Sequence, residues 1–131
     1  MSKSYDNVIP IFAPTKRLRK QVMRIVTDSS PPEAPKDPDE NSVFNIYKHV
    51  APKEDVERVR QRFLQGGLAY SEIKQDLFEL LENNFGEARE KYDQMMEDWD
   101  QLDAILLEGA KKARQIAIPM MDKVRKAVGV D

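Results

Sequence analysis

Few side chains in this sequence could do chemistry, and no set of them forms a complete active site. The chain opens Met1-Ser2-Lys3-Ser4, two hydroxyls flanking an ammonium, then Tyr5, Asp6 and Asn7. Taken alone, such residues suit any solvated loop. A nucleophile–histidine pair would need the single histidine, His49, beside an activated serine, and nothing places one there. One histidine and no cysteine leave no multi-histidine or cysteine metal site, no thiolate nucleophile and no disulfide, which fits a reducing compartment. Carboxylates abound in the middle of the chain, but they fall on polar helical faces and read as solvated charge. Gly66-Gly67 lacks the following lysine and serine of a phosphate loop and reads as a helix stop.

The charge distribution is more informative than its sum. The net charge is only −2 in 131 residues. Yet residues 1–26 carry Lys3, Lys16, Arg17, Arg19, Lys20 and Arg24 against Asp6 alone, and residues 111–131 carry Lys111, Lys112, Arg114, Lys123, Arg125 and Lys126 against Asp122 and Asp131. The middle is acidic. The basic helix over 15–26 and the Gly-Ala-Lys-Lys-Ala-Arg segment are therefore plausible phosphate-contacting surfaces; exposed cations serving solubility are the plainer reading. No apolar run approaches the ~18 residues of a membrane span, and the N-terminus lacks a signal-peptide layout.

The elements that must position these residues are helical. Leu18, Val22, Ile25 and Val26 share one face of a first helix, with Thr15 as its expected N-cap and its end near Thr27. The stretch 27–41 holds Pro31, Pro32, Pro35 and Pro38 among acids and predicts a long solvated loop. Ser42 is the expected cap of a short helix with Val43, Phe44, Tyr47 and Val50 inward. Pro52 opens a third helix with Val56, Val59 and Phe63 as its stripe, ended by Gly66-Gly67. Ser71 is the expected cap of a long helix with Ile73, Leu77, Leu80, Leu81, Phe85, Ala88, Tyr92 and Met95 or Met96 inward, weakened at Gly86. Asp100 is the expected cap of the last, whose stripe runs Leu102, Ile105, Leu106, Ala113, Ile116, Ala117, Met120 and Val124, with a bend at Pro119. The fold class is all-α, a helical bundle of about five helices behind an extended N-terminal loop.

Several segments together carry a resemblance. Met1-Ser2-Lys3-Ser4 resembles four fifths of the KMSKS signature of class I aminoacyl-tRNA synthetases, whose first lysine would precede Met1. Arg24–Ser29 (RIVTDS), Ser42–Lys48 (SVFNIYK), the spaced Phe63, Gly66, Tyr70, Lys74 and Leu77, and then Tyr92 and Glu108–Ala113 (EGAKKA) are similar, in order and approximate spacing, to bacterial-type tryptophanyl-tRNA synthetase. The Pro-rich stretch 27–41 is longer than that family's pattern. The likeness implies the C-terminal part of such an enzyme: residues 1–13 as catalytic loop and connector, and 14–131 as the helical domain on the anticodon side of tRNA.

It further implies that Met1, Ser2, Lys3 and Ser4 contact ATP phosphates, with Lys3 stabilising charge on the leaving pyrophosphate, and that Lys111, Lys112 and Arg114 contact tRNA(Trp). ATP with Mg2+ and a homodimer are expected of the full enzyme, in the cytoplasm, with no membrane or DNA partner. The 131 residues contain nothing like the Rossmann domain, so the chain alone is expected to be inactive, with an apolar surface exposed near Val8, Ile9, Ile11 and Phe12. The alternative is a freestanding helical module that binds RNA or protein and buries those residues.

Overall fold

The first helix stops early because its sequence turns β-branched. A computed structural model describes residues 7–130; among them are five helices, α1 (Thr15–Met23), α2 (Ser42–Val50), α3 (Lys53–Gln65), α4 (Tyr70–Glu97) and α5 (Trp99–Val128), and no strand. The all-α class is as expected. Ile25, Val26 and Thr27 follow the end of α1, a run that loses rotamer freedom in a helix. Ile25 still packs against the core, but Val26 is 83% exposed, so the expected inward face ends one residue sooner.

Each expected cap moves by a residue or two. Pro14, not Thr15, stands at the N-cap of α1, its carbonyl taking the Arg17 and Leu18 amides. Asn41, not Ser42, caps α2: its Oδ1 accepts from the Val43 and Phe44 amides at 3.0 Å each. Pro52 lies one position ahead of α3. Ala69 offers its carbonyl to the Glu72 and Ile73 amides at the start of α4, which places Ser71 inside the helix's first turn. Asp98, not Asp100, caps α5 through the Gln101 amide. Where Ser, Asn and Asp cluster at a helix start, any of them could cap; which one does depends on where the first turn closes.

Residues 1–90 and 91–131 form two compact units, with the boundary inside α4. In the first unit the core is one cluster: Leu18 and Val22 from α1, Val43, Phe44 and Tyr47 from α2, Val59 and Phe63 from α3, Leu68, and Ile73, Leu77 and Leu81 from α4. Phe44 and Phe63 meet edge to face at 5.6 Å, both fully buried. Burying each is worth about 1.5–3 kcal/mol, so this pair anchors α2 on α3.

The proline-rich stretch is not a free solvated loop. Proline donates no amide hydrogen, but the carbonyls of such a segment still need partners. Lys36 supplies them: it is 8% exposed, and its Nζ donates to the carbonyls of Pro32 (3.1 Å), Ala34 (3.1 Å) and Leu68 (3.3 Å). The Lys36 amide donates to Phe63 and the Gly67 amide to Pro32. Asp39 holds Arg60 through two bonds of 2.9 Å, and Pro38 is fully buried. Gly66 is required here: its φ is +83°, and a Cβ would come within 2.2 Å of the Glu33 carbonyl oxygen.

In the second unit α5 is well capped but uncovered. Gly129 closes it in the left-handed region, with the Val130 amide reaching Arg125. The helix runs through Pro119, and none of its residues is buried. Among the described residues no helix is long and apolar enough to cross a membrane.

Candidate functional site

Two places carry the residues that the sequence singles out. The first is the segment that follows the N-terminal signature. Met1, Ser2, Lys3 and Ser4 themselves lie outside the described residues. Behind them, Ile9 and Ile11 pack against the core, and the Ala13 amide donates to Pro10 at 2.9 Å, making a turn that feeds Pro14 and α1. Apolar exposure is thus limited here: Val8 is half-buried, and only Phe12 (42% exposed) projects outward.

This connector is held by Arg89 of α4. The residue is 6% exposed. Its Nε donates to the Ile11 carbonyl at 3.0 Å; its Nη1 donates to Thr15 Oγ1 at 3.0 Å and to Glu82 Oε1 at 2.7 Å. Thr15 Oγ1 in turn donates to Glu82 Oε2 at 3.2 Å. The freedom of Thr15 from capping is what allows this. Among the described residues the buried Arg89 Nη2 has no hydrogen-bond partner. The Arg89–Glu82 pair is only part-buried, with the Glu82 side chain 27% exposed, so breaking it costs less than the ~3–5 kcal/mol of a fully buried pair.

Sequence reasoning missed Arg89, placing Ala88 and Tyr92 inward instead; both are exposed. The signal was available. Leu77, Leu81, Phe85 and Arg89 follow at steps of four, so the arginine continues a core-facing row.

The second place is α5. Lys111, Lys112 and Arg114 are all exposed. Lys112 lies 3.9 Å from Glu108, a pair open to solvent that contributes little. Lys111 and Arg114, three apart, are neighbours on one side of the helix, with Lys112 a further 100° round. The apolar stripe of α5 lies on the other side and is exposed: Ile116 by 76%, Leu106 by 60% and Met120 by 57%.

The remaining candidates are structural. His49 is exposed in the last turn of α2, where a helix terminus favours cations. Tyr70 donates to Asp28 Oδ1 at 2.7 Å. That bond, with one from the Ser30 amide, holds the Asp28 carboxyl below its usual range; burial and the same bond push the Tyr70 phenol up to about 12. Burial also raises the Asp76 carboxyl. No group of three or more potential metal ligands occurs among the described residues.

No protein-family model matches the chain. The chain is 50% identical over 130 residues to the tryptophan–tRNA ligase of Pseudomonas aeruginosa, covering 99% of this chain and 29% of that protein. It is 43% identical over 130 residues to the tryptophan–tRNA ligase of Rhodopirellula baltica, covering 99% and 41%. The crystal structure of tryptophanyl-tRNA synthetase from Campylobacter jejuni, complexed with ADP and tryptophan, matches with a TM-score of 0.86 at 42% identity, over 99% of this chain and 41% of that one. The match falls on the C-terminal part of these relatives, and the chain spans about two-fifths or less of their length.

Proposed function

We propose that this chain, similar over 99% of its length to the C-terminal part of tryptophan–tRNA ligases, works as that part of such an enzyme. Residues 1–13 serve as catalytic loop and connector, and residues 14–131 as the helical domain that meets tRNA(Trp). The observation that carries the reading is identity of 50% over 130 residues together with a matching fold.

Attack of tryptophan on the α-phosphate of ATP builds negative charge on the leaving pyrophosphate. Lys3 stabilises that charge, with Met1, Ser2 and Ser4 lining the phosphates. Such contacts lower the barrier only where they are stronger in the transition state than in the ground state. Mg2+ accompanies the nucleotide and is assigned no ligand in this chain. The α5 cations Lys111, Lys112 and Arg114 meet tRNA phosphates; their exposure and weak internal pairing support this. The relatives' N-terminal portion supplies the pocket for tryptophan and adenine. The assembled enzyme is a cytoplasmic homodimer.

The test is tryptophan-dependent ATP–pyrophosphate exchange. The chain alone gives none. The chain joined to the N-terminal portion of the Pseudomonas aeruginosa relative exchanges, and Lys3→Ala lowers kcat about 100-fold. Exchange by the isolated chain, or a silent Lys3→Ala in an active joined protein, overturns the reading.

A further inference from the structure

Among the described residues, Arg89 is the one buried arginine. It occupies a place in the row Leu77–Leu81–Phe85 where an apolar side chain would pack at least as well, since a buried ion pair is often no more stable than its apolar replacement. Its three hydrogen bonds go to Ile11, Thr15 and Glu82, spanning 78, 74 and 7 residues of sequence. The segment it grips is neither helix nor strand. Between Asn7 and Pro14 its main chain closes one turn, with the Ala13 amide donating to the Pro10 carbonyl, before α1 begins. Arg89 meets this segment inside its turn, at the Ile11 carbonyl, and just beyond it at Thr15, the first residue of α1.

We propose that Arg89 is a positioning residue for the N-terminal signature: its forked guanidinium fixes residues 11–15 on α4 and so sets where the chain leading to Lys3 departs from the helical unit. The inference rests on the reading of residues 1–4 as the ATP-contacting loop. A guanidinium suits the task because its planar donors lock direction as well as distance, which a single ammonium cannot.

Two measurements test it. In the full 131-residue chain, hydrogen exchange compares the Ala13 amide with those of Leu77 and Leu81. Arg89→Met speeds exchange at Ala13 about ten-fold or more while Leu77 and Leu81 keep their protection. Thr15→Val removes one acceptor and keeps the Arg89–Glu82 pair, so it guards against a variant that fails to fold; it speeds Ala13 by a smaller factor. In the joined ligase, Arg89→Met lowers kcat for pyrophosphate exchange about ten-fold with the KM for tryptophan unchanged, and Arg89→Lys, keeping charge without the fork, falls between. Unchanged Ala13 protection in Arg89→Met, or in Thr15→Val where Arg89→Met does not fold, overturns the proposal. So does wild-type kcat in Arg89→Met when Lys3→Ala is crippled. A silent Lys3→Ala instead overturns the reading of residues 1–4, and the Ala13 amide alone then decides whether Arg89 fixes the connector.

Discussion

Replacing Lys36 by methionine measures how far one ammonium orders the proline-rich stretch. The side chain keeps a stem out to the ε position and loses the ammonium beyond it, with its three charge-assisted hydrogen bonds. The Pro32 carbonyl retains the Gly67 amide at 2.8 Å, so it stays satisfied. The Ala34 and Leu68 carbonyls are left without this partner. Each orphaned acceptor costs about 1–3 kcal/mol, and the Leu68 bond is the buried one. Against this, the methionine gains about 1 kcal/mol of apolar transfer. The acceptor term wins, leaving a loss of about 1–5 kcal/mol. The loss of the ammonium 5.3 Å from the Tyr70 ring acts in the same direction.

Urea unfolding followed by far-UV circular dichroism and tyrosine fluorescence reads this. The tyrosines Tyr47 and Tyr70 lie in the unit that Lys36 belongs to, whereas Trp99 belongs to residues 91–131. With a slope of about 1–2 kcal/mol/M, the midpoint falls by about 2 M at unchanged slope. Lys48→Met is the control: Lys48 is exposed and bonds Asn45 in the same helix, so it changes stability by less than about 0.5 kcal/mol. If Lys36→Met matched Lys48→Met, the ammonium would not be what pins the stretch.

Gly66→Ala destabilises by about 3 kcal/mol or more, because a Cβ meets the Glu33 carbonyl, while Gly67→Ala, at φ +86° with nothing within 4 Å, costs only about 1–2 kcal/mol; equal midpoints in thermal unfolding would contradict the close approach. Asn41→Ala costs about 1–2 kcal/mol and Ser42→Ala less than about 0.5 kcal/mol, and the reverse order in urea titrations would return the cap to Ser42. Tyr70 carries a raised pKa, so its contribution is full below its ordinary value near 10 and is lost as pH rises toward about 12. The stability gap between wild type and Tyr70→Phe therefore narrows from pH ~10 to ~12. The same variant lets the Asp28 carboxyl, held low chiefly by that phenol, rise toward its ordinary range in an NMR titration; a gap constant to pH ~12, or an unmoved Asp28, contradicts the bond.

The helical stripes were legible because apolar spacing and core burial coincide: Leu18 and Val22, Val43, Phe44 and Tyr47, Val59 and Phe63, and Ile73, Leu77 and Leu81 all lie in the core. Lys36 and Arg89 were not legible by that route, because each works through bonds to carbonyls and side chains far away in sequence, which periodicity does not register. The last stripe shows the converse. Ile105, Leu106, Ile116 and Met120 have core spacing yet are exposed, since spacing says which face is apolar and not whether anything covers it. The candidate phosphate contacts at residues 1–4 came from a short signature, and the α5 cations from charge and resemblance together; neither carries its own geometric fingerprint in the sequence.

The most direct test of the proposed role is charging of tRNA(Trp) with tryptophan by the chain joined to the N-terminal portion of the Pseudomonas aeruginosa relative. The account predicts that charging occurs and that the combined Lys111→Ala, Lys112→Ala and Arg114→Ala substitutions raise the KM for tRNA while pyrophosphate exchange keeps its rate. It also predicts a shallower salt dependence of tRNA binding, by about one unit of slope per lost phosphate contact. A joined protein that activates tryptophan but charges no tRNA, or charges it with an unchanged KM after all three substitutions, contradicts it.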